Sequence, residues 1–213
     1  MLRRIDARLG QPKPTVKCPW SKWKKTRKIN KIKKAVENLP PDEVAYFEDE
    51  IDVHLNPKIG PDWMLKGQQK EVETPGQNKK EYVAGAMSTD RSDLIWVTST
   101  SKSSNLFIEL LKAMLKANPT AKKIHLVLDN YIIHKSKITQ RFIESLKGRI
   151  VLHFLPPYSP DHNKIERFWR ELHANVTRNH KCKTMDELMD NVVKFLQEQR
   201  TKMRREARKL KAA

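Results

Sequence analysis

Three acids in this chain stand where carboxylates can work together. The run Leu155-Pro156-Pro157-Tyr158-Ser159-Pro160-Asp161-His162-Asn163-Lys164-Ile165-Glu166-Arg167-Phe168-Trp169 reads as a proline-rich turn handing into an amphipathic helix, with Glu166 near its start. Asp129 closes the apolar strand Ile124-His125-Leu126-Val127-Leu128, and Asp49 closes Val44-Ala45-Tyr46-Phe47. Hard cations such as Mg²⁺ take oxygen ligands and keep positions open for substrate oxygens. Two such ions, Mg²⁺ or Mn²⁺, about 4 Å apart can activate an attacking oxygen and stabilise a leaving one at phosphorus. Acids held by separate rigid elements suit that task.

Each acid also has an ordinary reading. Asp49 stands among Glu48, Glu50 and Asp52, and an acidic strand end is often only solvated; Glu50 and Asp52 are its rivals as ligands. Asp129 could form an Asx turn or cap the next helix. Glu166 could pair with Arg170 at i+4 on a helix surface. Asn130 and His134 follow Asp129 and either touch a bound strand or orient ligands; His134 could equally be a solvated helix-entry histidine. Trp169 falls at apolar helical spacing and reads as core. His180-Lys181-Cys182 lacks a second pair at zinc spacing, and six glycines provide no phosphate-binding or dinucleotide fingerprint.

The elements that must position the acids follow from periodicity. Helical spacing of Ile29, Ile32, Val36 and Leu39 predicts a helix over about 23–39, ended by Pro40-Pro41. Runs at 44–48 and 51–55 read as strands flanking the acidic knot, followed by strands at 82–87 and 94–98 with a turn near Asp90. Ser103 or Ser104 could cap a helix carrying Leu106, Leu110 and Met114. Then come a strand at 124–128, a helix near 136–147, a strand at 150–155 and a helix from about Asn163 to Asn179. Thr184 and Glu187 form a capping box for a last helix with a basic far end. Antiparallel strands followed by alternating strands and helices predict an α/β fold, a mixed five-stranded sheet flanked by helices in ribonuclease-H-like order.

Phe47-Glu48-Asp49-Glu50, Leu128-Asp129-Asn130 with His134-Lys135-Ser136, and the run from Pro156 to Trp169 together resemble the transposases of mariner-type bacterial insertion sequences, members of the DDE endonuclease superfamily. The resemblance covers roughly residues 40–195, and the last run is its most specific part. It implies a ribonuclease-H-like catalytic domain over 41–195, between a basic linker and helix at 1–40 and a basic helix end at 196–213. It also implies that Asp49, Asp129 and Glu166 are catalytic metal ligands. The implied chemistry is hydrolytic cutting at element ends, then attack of the freed 3′-hydroxyl on target DNA, commonly at TA. His162 and Lys164 depart from the aliphatic residue and proline usual in that family.

Charge agrees with a polyanionic partner. The net charge of +18 is concentrated at the ends: residues 1–40 carry +11 and 194–213 carry +6, while 41–193 carry only +1. Such ends suit double-stranded DNA held through phosphates, with Lys24, Lys28, Lys31, Arg204, Arg205 and Arg208 as candidate contacts. The stripe Ile29, Ile32, Val36 and Leu39 could instead mediate dimerisation, and a homodimer on DNA is expected. Two cysteines without a framework, and no signal peptide, predict a cytoplasmic protein, nucleoid-associated if bacterial. The 40 residues before the body are too few for the paired helix-turn-helix modules usual in the family. That suggests one frame of a split gene, with a separate helix-turn-helix polypeptide as partner, or a truncated copy or trimmed chain. A non-catalytic DNA-binding remnant and a structure-specific nuclease or resolvase of the same fold are the alternatives.

Overall fold

The computed structural model describes residues 16–212, so most of the extended arm expected at 1–19 lies outside the described residues. Helix α1 (Lys22–Glu37) opens on Ser21, whose hydroxyl accepts from the Lys24 amide at 3.3 Å. Three strands then meander, β1 (Glu43–His54), β2 (Lys80–Ser88) and β3 (Leu94–Ser99). Helix α2 (Ser104–Ala117), β4 (Lys123–Leu128), α3 (Lys137–Ser145) and β5 (Ile150–Phe154) complete the sheet. Its order is β3-β2-β1-β4-β5, antiparallel on the β3 side of β1 and parallel on the β5 side. Helices α4 (Ile165–Leu172) and α5 (Met185–Ala212) follow. Among the described residues no helix is long and apolar enough to cross a membrane.

Strand alternation divides the core in two, as a period of two requires. Phe47, Ile51, Val83, Met87 and Val127 meet Ile165, Phe168, Trp169, Val192 and Leu196 on one face. Tyr46, Ala84, Ala86, Leu126 and Leu128 meet Leu106, Leu110, Leu111 and Met114 on the other. Gly85 is needed on the first face: a Cβ there would lie 2.6 Å from the Trp169 ring. Trp169 is 1 % exposed and is core, as its spacing predicted.

Several expectations are corrected. The runs 44–48 and 51–55 form one strand, so Asp49 lies within β1 rather than at its end. The acids do not break the strand because Glu48 and Glu50 meet cations from distant elements. The stripe on α1 is not a free dimer surface: Ile32 and Val36 are buried with Phe47, Val127 and Leu155, and Leu39 packs against them. Neither Ser103 nor Ser104 caps α2 through its side chain; the Ser104 hydroxyl donates to that of Ser136 at 2.8 Å instead. The helix expected to run to Asn179 is α4 followed by a π turn at His173–Thr177. The capping box forms, with Thr184 Oγ1 accepting from the Glu187 amide at 3.2 Å. Helix α5 runs unbroken from Met185 to Ala212.

Candidate active site

The parallel register of β1 and β4 decides where the acids meet. Phe47 pairs with Val127, the last pair before β4 ends at Leu128. Asp49 follows that last pair by two residues on β1 and Asp129 follows it by two just past the end of β4, and both border one cleft. After β5 the Pro156–Pro160 turn leads over that level into α4. A cleft of about 630 Å³ results, lined by Asp49, Asp129 and Glu166 together with Asn130, Tyr131 and the Pro156–Pro160 turn. The turn is fixed without the family's usual proline at position 164. The Asn163 side-chain amide nitrogen donates to the Glu48 backbone carbonyl at 2.7 Å, and the Asn163 backbone carbonyl accepts from the Glu166 backbone amide at 3.1 Å. The Lys164 ammonium lies over the Phe47 ring at 5.5 Å.

The three carboxyls differ in how readily they ionise. Burial, then the charges of Glu166, Glu50 and Asp129, push the Asp49 carboxyl up to about 8. Burial and the charges of Asp129 and Asp161 raise Glu166, against the opposing pull of Arg170. Burial would also raise Asp129, but contact with His134 and a 2.7 Å hydrogen bond from the Tyr131 amide hold it below the usual carboxylate range. That amide bond is the Asx-type contact expected as the ordinary reading, and it coexists with the cleft position. Among the described residues no Lys or Arg lines the cleft. Three carboxyls bordering one cleft without a lining cation are a donor set whose chemistry suits divalent cations, hard ions that prefer oxygen ligands.

A second acidic group lies behind the first, on the opposite face of β1. Glu48, Glu50 and His134 offer ligand atoms all within 4.8 Å of one another. This group brings its own cations. His134 Nε2 lies 2.9 Å from Glu50 and 3.5 Å from Glu48, and Lys102 Nζ lies 3.4 Å from Glu50. Burial opposes charge on His134, but Glu48, Asp129 and Glu50 raise it to about 10. Burial and the neighbouring Glu50 push the Glu48 carboxyl well above the carboxylate range, against the pull of His134. Burial works against ionisation of Glu50 too, yet His134 and Lys102 hold it low. The two carboxyls of this group thus face two cations of the protein, whereas none lines the triad cleft among the described residues.

Of the other candidates, Asn130 borders the cleft and accepts from Lys135 Nζ at 2.7 Å. His134 is 2 % exposed, which corrects its assignment as a DNA contact and as a solvated helix-entry residue. Asp52 pairs with His54 at 2.7 Å and does not line the cleft. Lys24 and Lys31 are exposed on α1 and Lys28 is half-buried; Arg205 and Arg208 are exposed on α5. Arg204 is engaged instead: with Arg200 it grips Asp93 at 2.9 and 2.8 Å, tying α5 to the start of β3. The residue that sequence reasoning missed is Lys102, which lies far along the chain from the Glu50 it neutralises.

The chain resembles known proteins accordingly. An uncharacterised 39 kDa protein of the insertion element IS630 from Shigella sonnei is 47 % identical over 174 residues, 81 % of this chain. This chain spans 50 % of that relative's length. The Mos1 mariner paired end complex with Mn superposes with a TM-score of 0.64 at 14 % identity, over 94 % of this chain and 63 % of that one. The Mos1 strand transfer complex gives 0.58 at 16 % identity, over 94 % and 60 %. These likenesses support the ribonuclease-H-like fold. With the family model for the DDE superfamily endonuclease matching residues 44–189, the chain belongs to the DDE superfamily endonucleases.

Proposed function

We propose that this chain is the catalytic part of a transposase, cutting DNA at the ends of its element and joining them to target DNA. The observation that carries the reading is the convergence of Asp49, Asp129 and Glu166 on one cleft without a lining cation. These residues would hold two Mg²⁺ or Mn²⁺ ions, which when bound supply charge stabilisation and activation of oxygen at the phosphodiester. Mos1 complexes with Mn and with Mg are among the proteins of similar fold.

The chain's own residues supply position. Asp49 lies within β1 and Asp129 directly after its parallel partner β4, and the Asn163 anchor precedes Glu166, which supports this reading. The exposed lysines of α1 and the end of α5 attract the DNA backbone without reading bases, so they position rather than specify. A TA target would suit an enzyme that bends its target, because TA steps kink readily. Recognition of the element's own ends would come from a helix-turn-helix segment or partner polypeptide. Two copies acting together on paired ends, in the cytoplasm, complete the reading.

The test is joining of labelled element ends to a plasmid in Mg²⁺ or Mn²⁺. Metal-dependent joined product, lost in Asp129→Asn and without DNA trapped covalently on protein, is the expected result. Cutting without joining would favour a nuclease or resolvase. Salt-sensitive DNA binding with neither cutting nor joining would identify a non-catalytic remnant.

A further inference from the structure

The acids of the cleft are not held alike. Asp129 receives both of its contacts on one oxygen. The Tyr131 amide donates to Oδ1 at 2.7 Å, and His134 Nδ1 lies 3.3 Å from the same atom. Behind it, His134 Nε2 meets Glu50 Oε1 at 2.9 Å, and the other oxygen of Glu50 faces Lys102 at 3.4 Å. The imidazole packs against Phe107, ring centres 4.6 Å apart. It sits in the 3₁₀ turn Ile132–Lys135, where the Ile133 carbonyl accepts from Thr139 Oγ1 at 2.8 Å. The ring is therefore fixed from both sides.

A buried histidine beside a buried acid is ordinarily there to satisfy the acid. The direction of Nδ1 argues for more. It is buried, it makes no formed hydrogen bond among the described residues, and its ion-pair neighbour at 3.3 Å is Asp129. The Asp129 side chain is 57 % exposed, so water could satisfy it without a donor from the interior. Loose contacts of this kind at a site without its ligands can tighten once the ligands bind.

We propose that His134, anchored by Glu50, is a positioning residue: its Nδ1 donor holds Oδ1 of Asp129 and leaves Oδ2 free for the cleft. The proposal rests on the reading of that cleft as the metal site. Donors behind a metal ligand orient it, and losing one typically weakens metal binding about 10- to 100-fold.

Two substitutions separate this role from simple satisfaction of Glu50. The Asn amide nitrogen stands near the place of Nδ1 and the Gln amide nitrogen near that of Nε2. His134→Asn keeps a donor toward Asp129, whereas His134→Gln keeps one only toward Glu50. Mn²⁺ binding to the DNA-free chain is read from the loss of the free-ion EPR signal, and melting temperature is followed alongside. The expected result is Mn²⁺ affinity within about threefold of the parent for Asn and weakened at least tenfold for Gln, the scale for missing orienting donors. Equal affinities, or the reverse order, overturn the proposal. If the Gln variant does not fold, Glu50→Gln replaces it. That variant removes a buried charge but loosens the anchor of the ring, and should weaken Mn²⁺ at least threefold; unchanged affinity overturns the proposal. Asp129→Ala is the reference: if it too binds Mn²⁺ as the parent does, the metal reading of the cleft fails, and this inference with it.

Discussion

Binding of a divalent cation to this chain should release a proton, and Asp49 sets how much. Its carboxyl is pushed up to about 8 by burial and by Glu166, Glu50 and Asp129. In the cation-free protein at pH 7 it is therefore about nine-tenths protonated, and a ligand must be ionised to bind. Loading should displace about 0.9 proton at pH 7 and about 0.1 at pH 9. Apparent affinity should rise nearly tenfold per pH unit below 8, about 1.4 kcal/mol per unit, and level off above it. Stability of the cation-free chain should run the other way. The folded value lies above the ordinary 3.8, so Asp49 favours the fold below that pH and loses its contribution as pH climbs toward 8. Calorimetry of Mn²⁺ binding in buffers of different ionisation enthalpy counts the protons. Asp49→Asn should abolish most of the release and flatten the stability slope between pH 4 and 8. Release below about 0.3 proton at pH 7, or equal release from the Asn variant, would refute the reasoning, because the expected fraction follows directly from the raised value.

Three further outcomes follow from the packing. Gly85→Ala places a methyl 2.6 Å from the Trp169 ring, so it should cost about 1–3 kcal/mol in denaturant unfolding and weaken Mn²⁺ binding by shifting α4. His153 is held down to about 4 by burial and by His125, Lys28 and Lys31, so its neutral form supports the fold above pH 6.5 and that support is lost as pH falls toward 4. His153→Gln should flatten the urea midpoint across that window; an unchanged slope would show that burial and its neighbours do not hold the ring neutral. Deleting residues 205–213 spares the grip of Arg200 and Arg204 on Asp93. It should leave the melting temperature unchanged and flatten the salt dependence of duplex binding by about 0.9 log units for each phosphate no longer engaged.

Much of the architecture was legible because local signals agreed with tertiary ones. The apolar runs at 82–87, 94–98 and 124–128 became strands, and Thr184 with Glu187 marked the start of α5. The proline-rich run placed Glu166 correctly because proline and helix periodicity act over a few residues. The continuity of β1 was not legible. An acidic stretch reads as a break until its neutralising partners are known, and Lys102 and His134 arrive from β3–α2 and β4–α3 connections. The burial of His134 was hidden for the same reason: its partners Glu48 and Glu50 lie more than 80 residues upstream. The stripe on α1 was read correctly as needing a cover, but only the fold reveals that the chain's own sheet provides it.

The alternation along β1 carries a consequence for folding. Three consecutive acids, Glu48, Asp49 and Glu50, make the strand ambiguous by one residue, since a slip in either direction still turns a carboxylate toward the cleft. Most strands resist such slips through apolar pattern alone, and Phe47 and Ile51 provide part of that resistance here. The buried histidine adds a polar constraint. It meets an acid on each side of Asp49, and a shifted strand would present it with Asp49 and one apolar neighbour, Phe47 or Ile51. The observed register is thus the one in which His134 faces two acids while Asp49, the shorter side chain between them, borders the cleft.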